Sequence, residues 1–460
     1  MRSEGLVKKR TLLPKLFLLA SIVSVPAQAV DGLIAFPGAQ GFGAIATGGR
    51  GGRIIKVTNL NASGPGSLHA ACAAEGPRVI VFDVAGVIRG DISIRHSNIT
   101  IAGQSAPAPG ITIEGRLLAK PQNRERLHDI VVRFLRFRPT PTIGHNGDVI
   151  QLPKSERIIL DHVSIAWGND EMIDIIHSSE VTVQWSTIEE SDPAGHSKGV
   201  PHNYAILSAY PDSGNVSIHH NLFAHHARRL PSISPQVEGK PGDFRNNVIY
   251  NFRDGLSHEG HVPKAPVNLI ANYYKRGPNA ETIFPFQFDP MGRYHVVNNY
   301  FHGYGIVDDP RSSKAALPAW IQPGKAGISL AQPYKVAAVT TESAVNAYRE
   351  VMSKAGAWPR DQVTLRTLDE VRQGAGRWGR HAPERPSDAW YLKGLKRAEK
   401  PVDKDDDGMP DAWEEKHGLD AHDPRDQAQA MRSGYTAIED YLAERAQELR
   451  NAVVSEKPGS

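Results

Sequence analysis

A single cysteine, Cys72, is all that 460 residues provide. No internal disulfide can staple this chain, so its stability has to come from a large core, with bound metal as a further aid. Aromatic residues are modest at 7%, whereas 42 glycines and 33 prolines punctuate the sequence. That balance suits strands and turns better than a helical bundle. Long apolar runs are missing as well. The best candidate, Leu12 to Val25, is short for a membrane span and is interrupted by Pro14 and Lys15. No later run qualifies, so no membrane partner is expected. Lys8, Lys9 and Arg10 precede that run and Ala27-Gln28-Ala29 follows it, the layout of a secretory signal over residues 1–29. The expected location is therefore outside the cytoplasm, extracellular or periplasmic. A strong charge of either sign is lacking too. The formal net charge is +3, but the signal alone holds five basic residues and one acid; the remainder has 48 basic and 49 acidic residues. Nothing in that balance points to nucleic acid. The glycine-rich run Gly48-Gly49-Arg50-Gly51-Gly52 contains no GKS or GKT and reads as tight turns rather than a phosphate loop.

What is present is a repeat. Ile99–Ile101, Ile111–Ile113, Ile130–Phe137, Ile158–Ile165, Val181–Ile188, Val216–Phe223, Phe244–Tyr250, Val267–Tyr274 and Tyr294–Phe301 read as short apolar strands. Asn221, Asn247, Asn272 and Asn299 recur in the later ones, 26, 25 and 27 residues apart, with no helical periodicity between them. This is the mark of a stacked solenoid. The fold class expected is all-β, a right-handed parallel β-helix over residues 30–310. Its asparagines form an internal ladder that keeps buried amides bonded. Downstream, Thr341–Ala355 reads as a helix and Leu368–Arg372 as a second, within a helical wrap and linker over residues 311–400.

Two groups of acids stand out. The stretch Gly147–Asp174 holds Asp148, Asp170 and Asp174, with Asp161–His162 set inside an apolar strand. Carboxylates beside such strands must be paired, hydrogen-bonded or bound to a cation, and Ca2+ takes several carboxylate oxygens from separate segments. The second group lies in residues 401–445. Asp403, Asp405, Asp407, Asp411 and Glu414 occupy positions 1, 3, 5, 9 and 12 of a loop with Gly408 at position 6. That is the ligand spacing of an EF-hand-type calcium loop, here expected to hold a structural ion. His219, His220, His225 and His226 do not suggest zinc, because neighbours on a strand face opposite ways and no further ligand follows at a recognisable spacing.

FPGAQGFGAIATGGRGGRIIKVTNLNASGPGSL, IILDHVSIAWGNDEMID, HSKG, HHNLFAHHARRLP and DFRNNVIYN together resemble the pectate lyases of polysaccharide lyase family 1. The resemblance implies a parallel β-helix and an extracellular enzyme that cleaves the anionic plant cell-wall polysaccharide pectate by calcium-assisted β-elimination, leaving 4,5-unsaturated oligogalacturonides. It puts Asp148, Asp170 and Asp174 where the family's calcium ligands fall, Arg229 at its catalytic base and Lys198 at its substrate-binding lysine. Arg136, Arg138, Arg228 and His162 are the further substrate-binding candidates. Two positions depart from the family: Asn146 stands where a second aspartate is expected, and Ser234 where a second arginine is expected. A monomer is expected. Three other readings stay open: a β-helix lyase of another uronate polymer, a β-helix glycosidase that needs clustered carboxylates but no calcium, and a carbohydrate-binding solenoid without catalysis.

Overall fold

The computed structural model describes residues 32–121, 123, 125–140, 147–192, 202–258, 260–309, 317–322 and 327–455. The apolar segments read from the sequence wind into successive coils. Each full coil gives one strand to each of three parallel sheets, so a coil's hydrogen bonds are made to the coils before and after it. The coil that begins at Ser155 shows the pattern, with strands Ser155–Asp161, Ser164–Ile165 and Ile173–Asp174. Among the described residues the three sheets have eleven, ten and six strands. All their pairings are parallel except one antiparallel end strand, Gly305–Val307 against Asn299–Phe301. The fold is a parallel β-helix, as the repeat predicts.

Register explains the apolar period. In the eleven-stranded sheet Ile99 pairs with Ile130, Ile130 with Ile158, Ile158 with Val181, and Val181 with Val216. Two residues on, Ile101, Val132, Leu160, Val183, Ile218 and Phe244 form a second column. These side chains all lie in one buried core. Stacking like on like removes each apolar face from water at roughly 25 cal/mol per Å², which no single coil could achieve.

The segments expected as single strands are each two strands meeting at a corner. Ile158–Ile165 breaks after Asp161, and Val181–Ile188 after Gln184. The residue at each corner is left-handed: Phe134, His162, Trp185, His220, Asn246, Ala271 and Asn298 have φ between 49° and 57°. A change of backbone direction there turns a strand of one sheet into a strand of the next. It also buries a peptide N–H with no strand opposite, and that donor is what the asparagines serve. The backbone N–H of Asn221 donates to Asn247 Oδ1, that of Asn247 to Asn272 Oδ1 and that of Asn272 to Asn299 Oδ1, each at 3.0 Å. The side-chain amides follow the same path at 3.0, 3.1 and 3.0 Å. Ser186 continues the row, donating its N–H to Asn221 Oδ1 at 2.9 Å and accepting from Val163 N.

Helices Ala344–Lys354 and Gln362–Gln373 lie against the solenoid; the second is longer than its sequence pattern indicates. Val351, Met352, Leu368 and Val371 cover Leu222, Val248 and Tyr250. A C-terminal part with helices Asp411–His417 and Ala437–Ser455 packs Met409, Trp413, Ile438 and Tyr441 onto Val79, Val81 and Ala102, outward residues of the first coils. Among the described residues no helix is long and apolar enough to cross a membrane.

Asn247→Ala removes the acceptor of two Asn221 donors inside a dry corner, so it should cost about 2–4 kcal/mol. Asn346→Ala on an exposed helix face should stay within about 0.5 kcal/mol. Thermal melting of both variants checks this; equal melting temperatures would remove the ladder as a source of stability.

Candidate active site

The six-stranded sheet positions the acids. Its strands are only two or three residues long, and Ile150 pairs with Ile173, which pairs with Ile206. Two residues earlier on these three coils stand Asp148, Glu171 and Tyr204. Arg228 bridges Tyr204 from the following coil, with Arg229 beside it. Residues far apart in sequence thus form one column: two carboxylates, an aromatic ring and a guanidinium.

The column is knit together. Asp148 Oδ1 accepts the Glu171 N–H at 3.0 Å and its Oδ2 accepts from Gln151 at 2.9 Å. Glu171 forms an ion pair with Arg229 Nη1, and the Arg229 guanidinium lies 4.2 Å from the centre of the Tyr204 ring, a cation–π contact. Asp170 bonds His202 Nδ1 at 2.7 Å. One oxygen each of Asp148, Asp170 and Glu171 lies within 4.8 Å of the others, a spacing that suits a cation. Asp174 stands beyond this trio, with Oδ1 accepting from Ile176 N at 3.2 Å. Burial and the charge of Asp170 push Asp148 up to about 7, and burial and the charge of Asp148 push Asp174 up to about 8. Carboxylates crowded into a half-dry face in this way fit a hard divalent ion, which needs that donor chemistry and offsets that repulsion.

The sequence alone did not single out Glu171 or Tyr204. Glu171 sits beside a candidate ligand, and only the coil register shows that it, rather than Asp174, faces Asp148. Lys198 and Asn146 lie outside the described residues. Ser234 is fully buried, its hydroxyl 3.2 Å from His258 Nδ1, so no cation replaces the family's second arginine at that position. Arg228 pairs with Asp254 at 3.0 Å, and its guanidinium lies 5.8 Å from the centre of the Tyr204 ring.

Three substrate-binding expectations are corrected. Arg136 and Arg138 are on a strand of the ten-stranded sheet or at its end, and both are 0% exposed. Arg136 donates to Thr112 Oγ1 and to the Pro109 and Pro359 carbonyls at 2.7–2.8 Å. Arg138 forks onto Asp361 at 3.0 and 3.1 Å, and Asp361 also caps the helix Gln362–Gln373 through Thr364 N. They anchor the covering helix to the solenoid. His162 is a corner residue, 1% exposed, bonded to Asp161 at 2.9 Å and stacked 4.7 Å from Phe134. None of the three can meet a polysaccharide.

In the C-terminal loop, Asp403, Asp405 and Asp407 offer oxygens within 4.8 Å of one another, and Asp407 and Glu414 do so with Asp426. Asp411 is the exception. Its Oδ1 accepts Lys404 N at 2.9 Å, its Oδ2 pairs with Lys404 Nζ at 2.7 Å, and it belongs to neither group of oxygens.

No family model matches the sequence. Curated relatives do. A probable pectate lyase C of Aspergillus terreus is 34% identical over 429 residues, 89% of this chain and 93% of that protein. One of Aspergillus fumigatus is 33% identical over 432 residues, 92% of this chain and 96% of that protein. The chain belongs to the pectate lyase family. Among solved structures, the cedar-pollen allergen jun a 1 overlays with a TM-score of 0.49 at 14% identity, over 69% of this chain and 92% of that one. For this family member the assignment rests on the sequence relatives alone.

Asp148 and Asp174 retain protons in the folded chain that they lose unfolded, from about pH 4 upward. The folded state therefore binds more protons in that range, and stability falls as pH rises toward about 8. Asp407, pushed up to about 7, and Glu414, pushed up to about 8, act with the same sign. The melting temperature of chelator-treated protein should drop between about pH 5 and pH 8, and calcium should restore most of the loss. A flat profile, or one rising with pH, would contradict the crowding of these acids.

Proposed function

We propose that this enzyme cleaves pectate outside the cytoplasm by calcium-assisted β-elimination. The observation that carries the proposal is the column itself, in which the acid group able to hold a cation is continuous with Arg229. The pectate lyase relatives supply the substrate class.

In a polygalacturonate chain the C5 proton is α to a charged carboxylate and is a very weak acid. Calcium held by Asp148, Asp170, Glu171 and Asp174 would neutralise that carboxylate and stabilise charge developing next to it. Arg229 is the base in this reading. In its neutral guanidine form it takes the C5 proton on a nitrogen and becomes the guanidinium, the C5–H electrons form the C4=C5 double bond, the C4–O bond breaks, and solvent protonates the departing oxygen. Glu171 and Tyr204 hold Arg229 in place, one by charge and the other by its ring face. An arginine is neutral only rarely, which makes this an uncommon base. Lys198, named by the family resemblance, would add a further positive charge at the substrate carboxylate. The reaction needs no second acid–base carboxylate, and the acids of this column lie together on one side of Arg229 rather than flanking a bond. That arrangement favours elimination over hydrolysis.

Digestion of polygalacturonate in the presence of calcium should yield unsaturated, ultraviolet-absorbing ends, and chelation should stop it. Purely saturated ends would point to a hydrolase, and no cleavage of polygalacturonate, alginate or ulvan to a binding solenoid. Arg229→Lys should lower kcat by about 10²–10⁴-fold while thermal melting and calcium binding persist. Near-normal turnover in that variant would take Arg229 out of the reaction.

A further inference from the structure

The C-terminal loop contains an electrostatic problem that protein groups leave unsolved. Glu414 is 0% exposed, and neither of its carboxylate oxygens has a hydrogen-bond partner. It faces Asp407, 4% exposed with an unpartnered Oδ2, and Asp426, whose Oδ1 is likewise unpartnered. Asp405 Oδ2 is unpartnered as well. Lys56 of the first strand bonds Asp403 at 2.7 Å and Asp406 at 2.5 Å, on the side of the loop toward the solenoid. A buried carboxylate with no partner is among the costliest groups a fold can carry. Here one points into a nest of four others.

We propose that a calcium ion binds among Asp403, Asp405, Asp407, Glu414 and Asp426, and that it clamps the C-terminal helices onto the first coils of the solenoid. The donors are oxygens only, which selects a hard cation and disfavours zinc or copper. The site differs from the twelve-residue loop in the sequence. No helix enters it at Pro401–Val402, and Asp411, paired with Lys404, lies outside both groups of oxygens. Asp426 supplies the remaining oxygen from a short turn nine residues past His417. One ion would thus tie the loop, the helix Asp411–His417 and the turn that leads to Ala437–Ser455.

The clamp has a place to act. Gly408, at φ 98°, brings the loop apex so close to the solenoid that a Cβ there would lie 3.1 Å from Ile54 and 3.2 Å from Val81. Met409 beside it is fully buried against the same strands. Loosening the loop would uncover Val79, Val81 and Ala102, which the solenoid cannot bury by itself. This inference does not depend on the reaction assigned to the solenoid acids.

The test uses the full chain carrying Asp148→Asn and Asp174→Asn, so that binding at the solenoid acids is weakened. Calcium alone should bind with about one equivalent and slow amide exchange over residues 403–417 and 426–445. Asp426→Asn and Glu414→Gln should each weaken that binding on the order of tenfold or more, since affinity follows the count of charged ligands. Asp411→Asn should leave it within about threefold. Glu414→Gln should also raise the melting temperature of the calcium-free protein above about pH 8, where Glu414 is otherwise an unpaired buried charge; a melting temperature lowered there would count against that unpaired charge. No binding in the double-variant background, or binding lost in Asp411→Asn but kept in Asp426→Asn, would overturn the proposal.

Discussion

The hydrogen-bonded register from coil to coil is the constraint on which everything else here depends. Parallel pairing across eleven strands fixes which residue of one turn lies over which residue of the next. Each column must then carry side chains of compatible kind. Apolar residues stack inside, asparagines stack at the corner, and on the six-stranded sheet the residues of the proposed site stack. No local motif could assemble Asp148, Glu171, Tyr204 and Arg229; the pitch of the solenoid does so. Because neighbouring strands sit about 4.8 Å apart, groups on adjacent coils are within reach of one extended polymer and of one another.

The price of that economy is a set of corners. At the left-handed corners from His162 to Ala271 the residue that follows has a buried N–H, and a hydroxyl or amide side chain from the next coil accepts it. The outer faces pose a second demand. Two of the sheets need a cover, and the chain after the solenoid provides it, with Arg138 and Asp361 locking one helix in place and the acidic loop seating another part. Buried arginines on the ten-stranded sheet serve adhesion, and Arg229, beside the six-stranded sheet, belongs to the proposed site.

The fold was largely legible because its signal is repetitive: asparagines about 26 residues apart between apolar strands suit a stacked solenoid and little else. The corners were not, since Phe, His, Trp, Asn and Ala all occupy them and share no residue type that marks a positive φ. The sheet beside the proposed site leaves no sequence signal, for a different reason. Strands such as Ile150–Gln151 and Ile173–Asp174 have two residues each, too few for any periodicity. Asp148, Asp170 and Arg229 were visible as residue types in a recognisable context. Glu171 and Tyr204 were not, because their roles come from the register alone. Arg136 and Arg138 alternate as surface cations would, and only the helix packed over them shows otherwise. Asp426 lies outside the loop whose spacing drew attention to its partners.

The central claim is that the column on the six-stranded sheet is where the polymer is bound and cut. A crystal structure of the Arg229→Lys protein soaked with calcium and trigalacturonate tests it most directly. The account predicts the sugar along that sheet, an ion shared between a uronate carboxylate and the acids around Asp148, and a C5 atom within about 3 Å of the nitrogen at position 229. A trisaccharide seated on another face, or seated there with no ion between it and those acids, would contradict it.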